Sequence, residues 1–141
     1  MVDESLEPAT WAVATPPEEI IEAERRLGMP LPAEWRRYLQ RERRLESGWL
    51  ESGVFVYLHG PAKALEIMDA WQPARSAHPG FFLLGDDGSR DMFCVDLRNL
   101  DLGVLLTDIV SSGWRDAQPL DLSIESFIQA VDDGTFDPFA E

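Results

Sequence analysis

Asp86-Asp87-Gly88-Ser89-Arg90-Asp91 brings three carboxylates, a hydroxyl and a guanidinium into six residues. A run of this kind could bind calcium, carry acid/base chemistry or present charge to a partner. A calcium loop alternates its ligands and closes on a late Glu, and here Arg90 and Met92 interrupt that pattern. Two carboxylates can share acid/base work, but adjacent residues in a turn usually point apart. The other chemistry-bearing residues are dispersed. His59 ends an apolar run before Gly60-Pro61, and His78 stands in a Pro-rich loop. Neither has a metal-ligand spacing with the other or with Cys94. Cys94 alternates within an apolar run and reads as a core thiol rather than a nucleophile. The chain has no P-loop, no dinucleotide-binding glycine fingerprint and no Gly-x-Ser-x-Gly elbow. It therefore reads as a binding protein with no catalytic residues, no metal and no cofactor. An acid-dependent hydrolase built on Asp86, Asp87 and Asp91 is the enzymatic alternative.

The elements around the acidic run explain how it would be held. Phe81 to Leu84 is an unbroken apolar stretch that ends at Gly85, and a second apolar run resumes from Met92 to Leu97. Two strand-like runs around an Asp/Gly cluster predict a hairpin, because Asp and Gly tolerate the positive φ of tight turns. The first run does not alternate, so it is expected to be central and buried on both faces. Gly85 and Gly88 are expected to be structural, through positive φ. The candidate partner face is Asp86, Asp87 and Asp91, supported by Asp96, Asp101 and Asp108, with Trp49 in a separate loop as a further candidate.

Residues 1–15 read as an N-terminal arm with Trp11 as its anchor, ahead of a single domain over 16–134. Thr15-Pro16-Pro17-Glu18 has the signature of a capped helix start, and Gly28 is placed to stop that helix in the left-handed conformation. A second helix is expected from Pro32 or Ala33, with Trp35, Tyr38, Leu39 and Leu45 on its apolar stripe. Its arginines, up to Arg44, would form the solvated face. Residues 47–53 read as loop and Val54 to Leu58 as a strand. A helix follows from Pro61 to Trp71, and a strand spans Gly103 to Thr107, with Ile109 and Val110 as a possible extension. Ser123 opens a closing helix with Ile124, Phe127, Ile128 and Val131 inward. Gly134 ends that helix, leaving an acidic tail over 135–141. The sum is an α+β domain: a mainly antiparallel central sheet, N-terminal helices, an inserted helix and a C-terminal closing helix.

Charge narrows the partner. The chain of 141 residues has a formal net charge of −14, with 13 acids and 9 bases up to residue 85 but 13 acids and 3 bases beyond it. Such a surface repels phosphate backbones and anionic lipid, which argues against nucleic acid and membrane and for a basic protein partner. A surface tuned only for solubility is the competing explanation. There is no membrane-length apolar run and no start resembling a signal peptide, and one cysteine cannot form an internal disulfide. The expected location is the cytoplasm.

Three segments carry a family resemblance. The stretch from Glu18 to Gly28, followed by Met-Pro-Leu-Pro-Ala-Glu-Trp-Arg-Arg-Tyr-Leu, resembles the opening of the SUKH superfamily, the Smi/Knr-like domains. Leu31, Pro32, Trp35 and either Tyr38 or Leu39 fill that family's Leu-Pro-x-x-aromatic-x-x-aliphatic pattern. Phe82 to Gly88, with Met92 to Asp96, is similar to its apolar-Gly-x-x-Gly hairpin. Ser126-Phe127-Ile128 resembles its closing helix, with Phe127 as the aromatic. The likeness runs over residues 16–134. The chain departs from the family in having Glu46-Ser47-Gly48-Trp49 where an Asn-Gly-Gly-like turn is usual, and in the helix inserted at 61–71. The resemblance implies an α+β fold without catalytic residues. In bacteria it most often implies an immunity protein that binds and blocks a toxin, commonly a nuclease. The fungal namesake instead regulates cell-wall synthesis through protein contacts, so a regulatory or scaffolding domain is the second reading.

Overall fold

A computed structural model describes residues 9–71, 77–108 and 113–139. Residues 1–8 of the arm, part of the loop after Trp71, Ile109 and Val110, and the last two residues lie outside that set. The elements in chain order are β1 (Thr10–Ala12), α1 (Pro17–Leu27), α2 (Ala33–Leu39), β2 (Arg44–Trp49), β3 (Phe55–Leu58), α3 (Pro61–Ala70), β4 (Phe81–Asp86), β5 (Asp91–Asp96), β6 (Leu105–Asp108), β7 (Gln118–Pro119) and α4 (Ile124–Asp133). Short 3-10 turns cover Leu100–Leu102 and Trp114–Asp116. The strands form one antiparallel sheet whose spatial order is its sequence order, β1 through β7. This is the expected α+β architecture.

The local signals act much as their chemistry requires. Gly28 and Gly134 end α1 and α4 at φ 71° and 73°, where a Cβ would be strained. Ser123 Oγ accepts the Ser126 amide and caps α4. At α1 the expected Thr cap is not made. Pro16 takes the cap position with φ −58°, and Thr15 is drawn inward, its amide donating to the Leu39 carbonyl at 2.8 Å. The proline ring already sets the entry angle, which leaves the threonine free to join α1 to the end of α2.

The largest correction concerns residues 44–49. The second helix stops at Leu39, and Arg44 to Trp49 is a strand rather than helix end and loop. Arg44 is buried, with its Nη2 3.5 Å from Thr15 Oγ1, so it does not belong to a solvated helix face. Leu45 packs against the core from the strand instead of from the helical stripe. The Ser47-Gly48 pair has weak strand propensity, but a Cβ on Gly48 would meet Ala9 Cβ at 3.1 Å. The glycine is there to let the chain before β1 approach closely. The arm correspondingly contributes a strand: Trp11 pairs with Leu45 and Ala12 with Arg44.

One apolar core links helices and sheet. Leu31, Trp35, Leu39, Leu83, Phe93, Leu105 and Phe127 all lie in it, as expected. Phe81 to Gly85 are buried without alternation, which is the burial of a central strand. Phe136, read from sequence as part of an acidic tail, is core as well. It meets Phe93 at 5.1 Å and Phe127 at 5.0 Å, both edge-on.

Candidate partner-binding face

The β4–β5 hairpin holds the acidic turn rigidly, and each of its carboxylates has a different assignment. Asp86 Oδ1 accepts the Gly88 amide at 2.8 Å, while Oδ2 lies 2.8 Å from Nε2 of the buried His59. Asp86 is thus occupied within the chain. Asp87 Oδ1 accepts the Ser89 amide at 2.9 Å and the Asp91 amide at 3.3 Å, which fixes the turn and leaves the carboxylate at the surface. Gly88 has φ +81°, as the turn requires. Gly85 does not have positive φ. It is required for another reason: a Cβ there would overlap the Tyr57 carbonyl oxygen of the neighbouring strand and stand 2.9 Å from Leu58 Cδ2.

Strand register divides the six candidate aspartates. Asp91 pairs with Asp108 across β5 and β6, so Asp86, Asp87, Asp91 and Asp108 gather at one end of the sheet. Arg90 reaches Asp108 at 3.2 Å and offsets part of that charge. Asp96 pairs with Phe81 at the opposite end, about 17 Å away along a six-residue strand. There it is buried and clamped by Arg98, with contacts of 3.1 and 3.0 Å. Burial pushes its carboxyl up, but the hydrogen bonds and charge of Arg98 outweigh this and hold it below the ordinary range. Asp101 is exposed in the 3-10 turn beyond Asp96. Asp96 and Asp101 therefore do not join the acidic turn.

Within the cluster, burial and then the neighbouring Asp87 raise the Asp91 carboxyl above its ordinary value. Asp108 adds to this effect and Arg90 opposes it. A carboxyl with a higher pKa folded than unfolded holds its proton more firmly in the native state. Its contribution to stability is then lost as pH rises from the ordinary aspartate value through the raised one. Asp91→Asn should accordingly stabilise the fold at neutral pH by up to about 0.5 kcal/mol. The gain should shrink once the medium is more acidic than the ordinary aspartate value. Urea unfolding of the two proteins in neutral and acidic buffer measures this, and a variant no more stable than the parent at neutral pH would contradict it.

Trp49, predicted apart from the aspartates, stands beside them. It pairs with Phe55 across β2 and β3, ring centroids 5.4 Å apart, and a Cβ on Gly88 would come within 3.1 Å of the Phe55 ring. The β4–β5 turn and the end of the β2–β3 hairpin are one corner of the molecule. Residues 14–129 of the chain match the SMI1 / KNR4 family (SUKH-1). The chain belongs to that family. Among curated proteins, none matches it.

The match leaves β1 and Phe136 outside its bounds, so this SUKH-1 chain extends its sheet and its core beyond the matched segment. Cys94 is buried, its thiol facing the Leu105 carbonyl and Thr107 Oγ1, and burial pushes its pKa up to about 12. That is a core thiol. No group of three or more His, Cys, Asp or Glu among the described residues is arranged to hold a metal ion. None of the helices described is long and apolar enough to cross a membrane. The sequence reading missed Phe55 and Tyr57 as surface residues. The signal was their alternation with the buried Val56 and Leu58.

Proposed function

We propose that this SUKH-1 chain is a non-catalytic, cytoplasmic protein-binding domain that neutralises a toxin, as immunity-type members of the family do, and that its partner is basic. The observation that carries the reading is the cluster of Asp87, Asp91 and Asp108 that strand pairing and the turn hold together, although burial and then the neighbouring carboxylates raise the Asp91 carboxyl. Charge placed only for solubility would be dispersed to avoid such repulsion. Charge concentrated at a rigid hairpin end instead draws a positively charged surface and speeds its encounter. A nuclease toxin has a basic cleft for phosphates, and an acidic corner can occupy it.

The test is to co-express the chain with the proteins encoded by its neighbouring genes, scoring growth and isolating any complex. Protection with a stable complex is the expected result. Growth arrest with no complex would reject the immunity reading, and a complex with a cellular protein but no protection would favour the regulatory one. Replacing Asp87 and Asp91 with Asn removes charge while keeping shape and much of the hydrogen bonding. Association should then slow severalfold and lose part of its salt dependence, with stability changed by no more than about 0.5 kcal/mol for each site. Stopped-flow mixing over a salt series reads both quantities. An unchanged rate and salt slope would reduce these carboxylates to turn chemistry.

A further inference from the structure

Cross-strand pairing sorts the β1–β2–β3 end of the sheet into two unlike faces. Arg44, Gly48, Val56 and Leu58 point inward and are buried. The pairs Ser47–Tyr57, Trp49–Phe55 and Tyr57–Asp86 place their side chains on the other face. There Trp49 remains 47% exposed, and Phe55 and Tyr57 are half-buried. The row ends at the acidic turn, where Gly88 lies against Phe55. Large rings left in water next to carboxylates whose charge Arg90 offsets only in part have the composition of an interface centre with a charged rim.

We propose that this aromatic face is the centre of the partner interface, and that it takes an arginine-bearing basic segment of another protein. Guanidinium groups would stack on Trp49 and Tyr57 and reach the carboxylates of Asp87, Asp91 and Asp108. The proposal rests on the protein-binding reading above and specifies its site and partner chemistry. Charge complementarity selects the occupant. A purely apolar partner would cover the acidic rim and strip water from carboxylates whose charge Arg90 offsets only in part. A second copy would bring its own net −14 and its own acidic turn against the first. A basic segment satisfies rings and carboxylates together. A contact of this kind exists elsewhere within the chain: the Arg43 guanidinium sits 4.1 Å above the Trp11 ring. Arginine is favoured over lysine because its planar, weakly hydrated head both stacks and pairs with carboxylates.

The probe is a short Arg-Gly repeat peptide, with Lys-Gly and Glu-Gly repeats as comparisons, titrated at low salt into the labelled protein and followed by NMR. Expected are shifts of the Trp49 indole N–H signal and of the amides of Phe55, Tyr57 and residues 86–91. The Arg peptide should bind at least about fivefold tighter than the Lys peptide, and Trp49→Ala, at a half-exposed site, should erase that preference. Shifts centred elsewhere, or no binding of the Arg peptide, would overturn the proposal. Equal binding of Arg and Lys peptides that Trp49→Ala leaves unchanged would also overturn it, as only a charged turn would remain. A dimer that Trp49→Ala dissolves would assign the face to a second copy, against the proposal. Toxin neutralisation that survives Trp49→Ala would reject this face while leaving the protein-binding reading intact. If the parent chain neutralises nothing, the immunity reading falls, and the peptide titration still decides the face.

Discussion

Replacing Phe93 with alanine is expected to lower the free energy of unfolding by about 3–5 kcal/mol, which corresponds to a fall in Tm on the order of 10 °C. Phe93 is fully buried at the centre of β5 and touches two other rings, Phe127 of α4 and Phe136 beyond it. These rings come from the sheet, from α4 and from the segment bonded back onto the end of α4, so the cavity left by one truncation is bounded by elements that cannot all collapse into it. The three rings should also be coupled. Phe136→Ala should cost less in the Phe93→Ala background than in the parent, because part of its contact area has already gone. Urea unfolding of the single and double variants measures both claims. A midpoint for Phe93→Ala within error of the parent would mean that the ring cluster does not hold the closing helix to the sheet.

Gly85→Val is expected to destabilise by about 3 kcal/mol or more, for a reason unrelated to backbone handedness. The obstacle is the Tyr57 carbonyl, a backbone atom that cannot rotate away as a side-chain end could. β3 must therefore part from β4, and with it the pairings Tyr57–Asp86 and Leu58–Gly85. Gly88→Val faces a milder problem, positive φ at an exposed turn next to a ring that can shift, and should cost about 1–2 kcal/mol. The order of the two variants is the test. If Gly88→Val proved the more damaging, close approach at Gly85 would not be the controlling constraint. Gly85→Val should also disturb the aromatic corner, since β3 carries Phe55 and Tyr57.

How far the sequence was legible depends on how local each signal was. α1, α2, the β4–β5 hairpin and α4 are marked by residues a few positions apart: Gly28, Pro32, the Asp/Gly turn, Ser123 and Gly134. β2 was not legible, because Glu46-Ser47-Gly48 becomes a strand only once β3 and the arm flank it, and its glycine answers to Ala9. The acidic turn was visible as composition, whereas the partition of its supporting aspartates needed strand register. Asp108 faces Asp91 across the ladder, and Asp96 and Asp101 fall at the far end. Trp49 was singled out as a lone aromatic in a loop. Only pairing with Phe55 shows that it belongs to a row.

The two outermost strands are short: β1 has three residues with a register shift between Thr10 and Trp11, and β7 has two, one of them Pro119. A strand seeking to extend this sheet would find few in-line amides on either border, and at Pro119 none to donate. Template-like stacking of molecules border to border is thereby discouraged, even though the central strands are as apolar as those of aggregating sheets. Such borders let the folded chain reach a higher concentration before it aggregates. They also discourage indiscriminate capture of extended peptides, since backbone pairing is largely indifferent to side-chain identity.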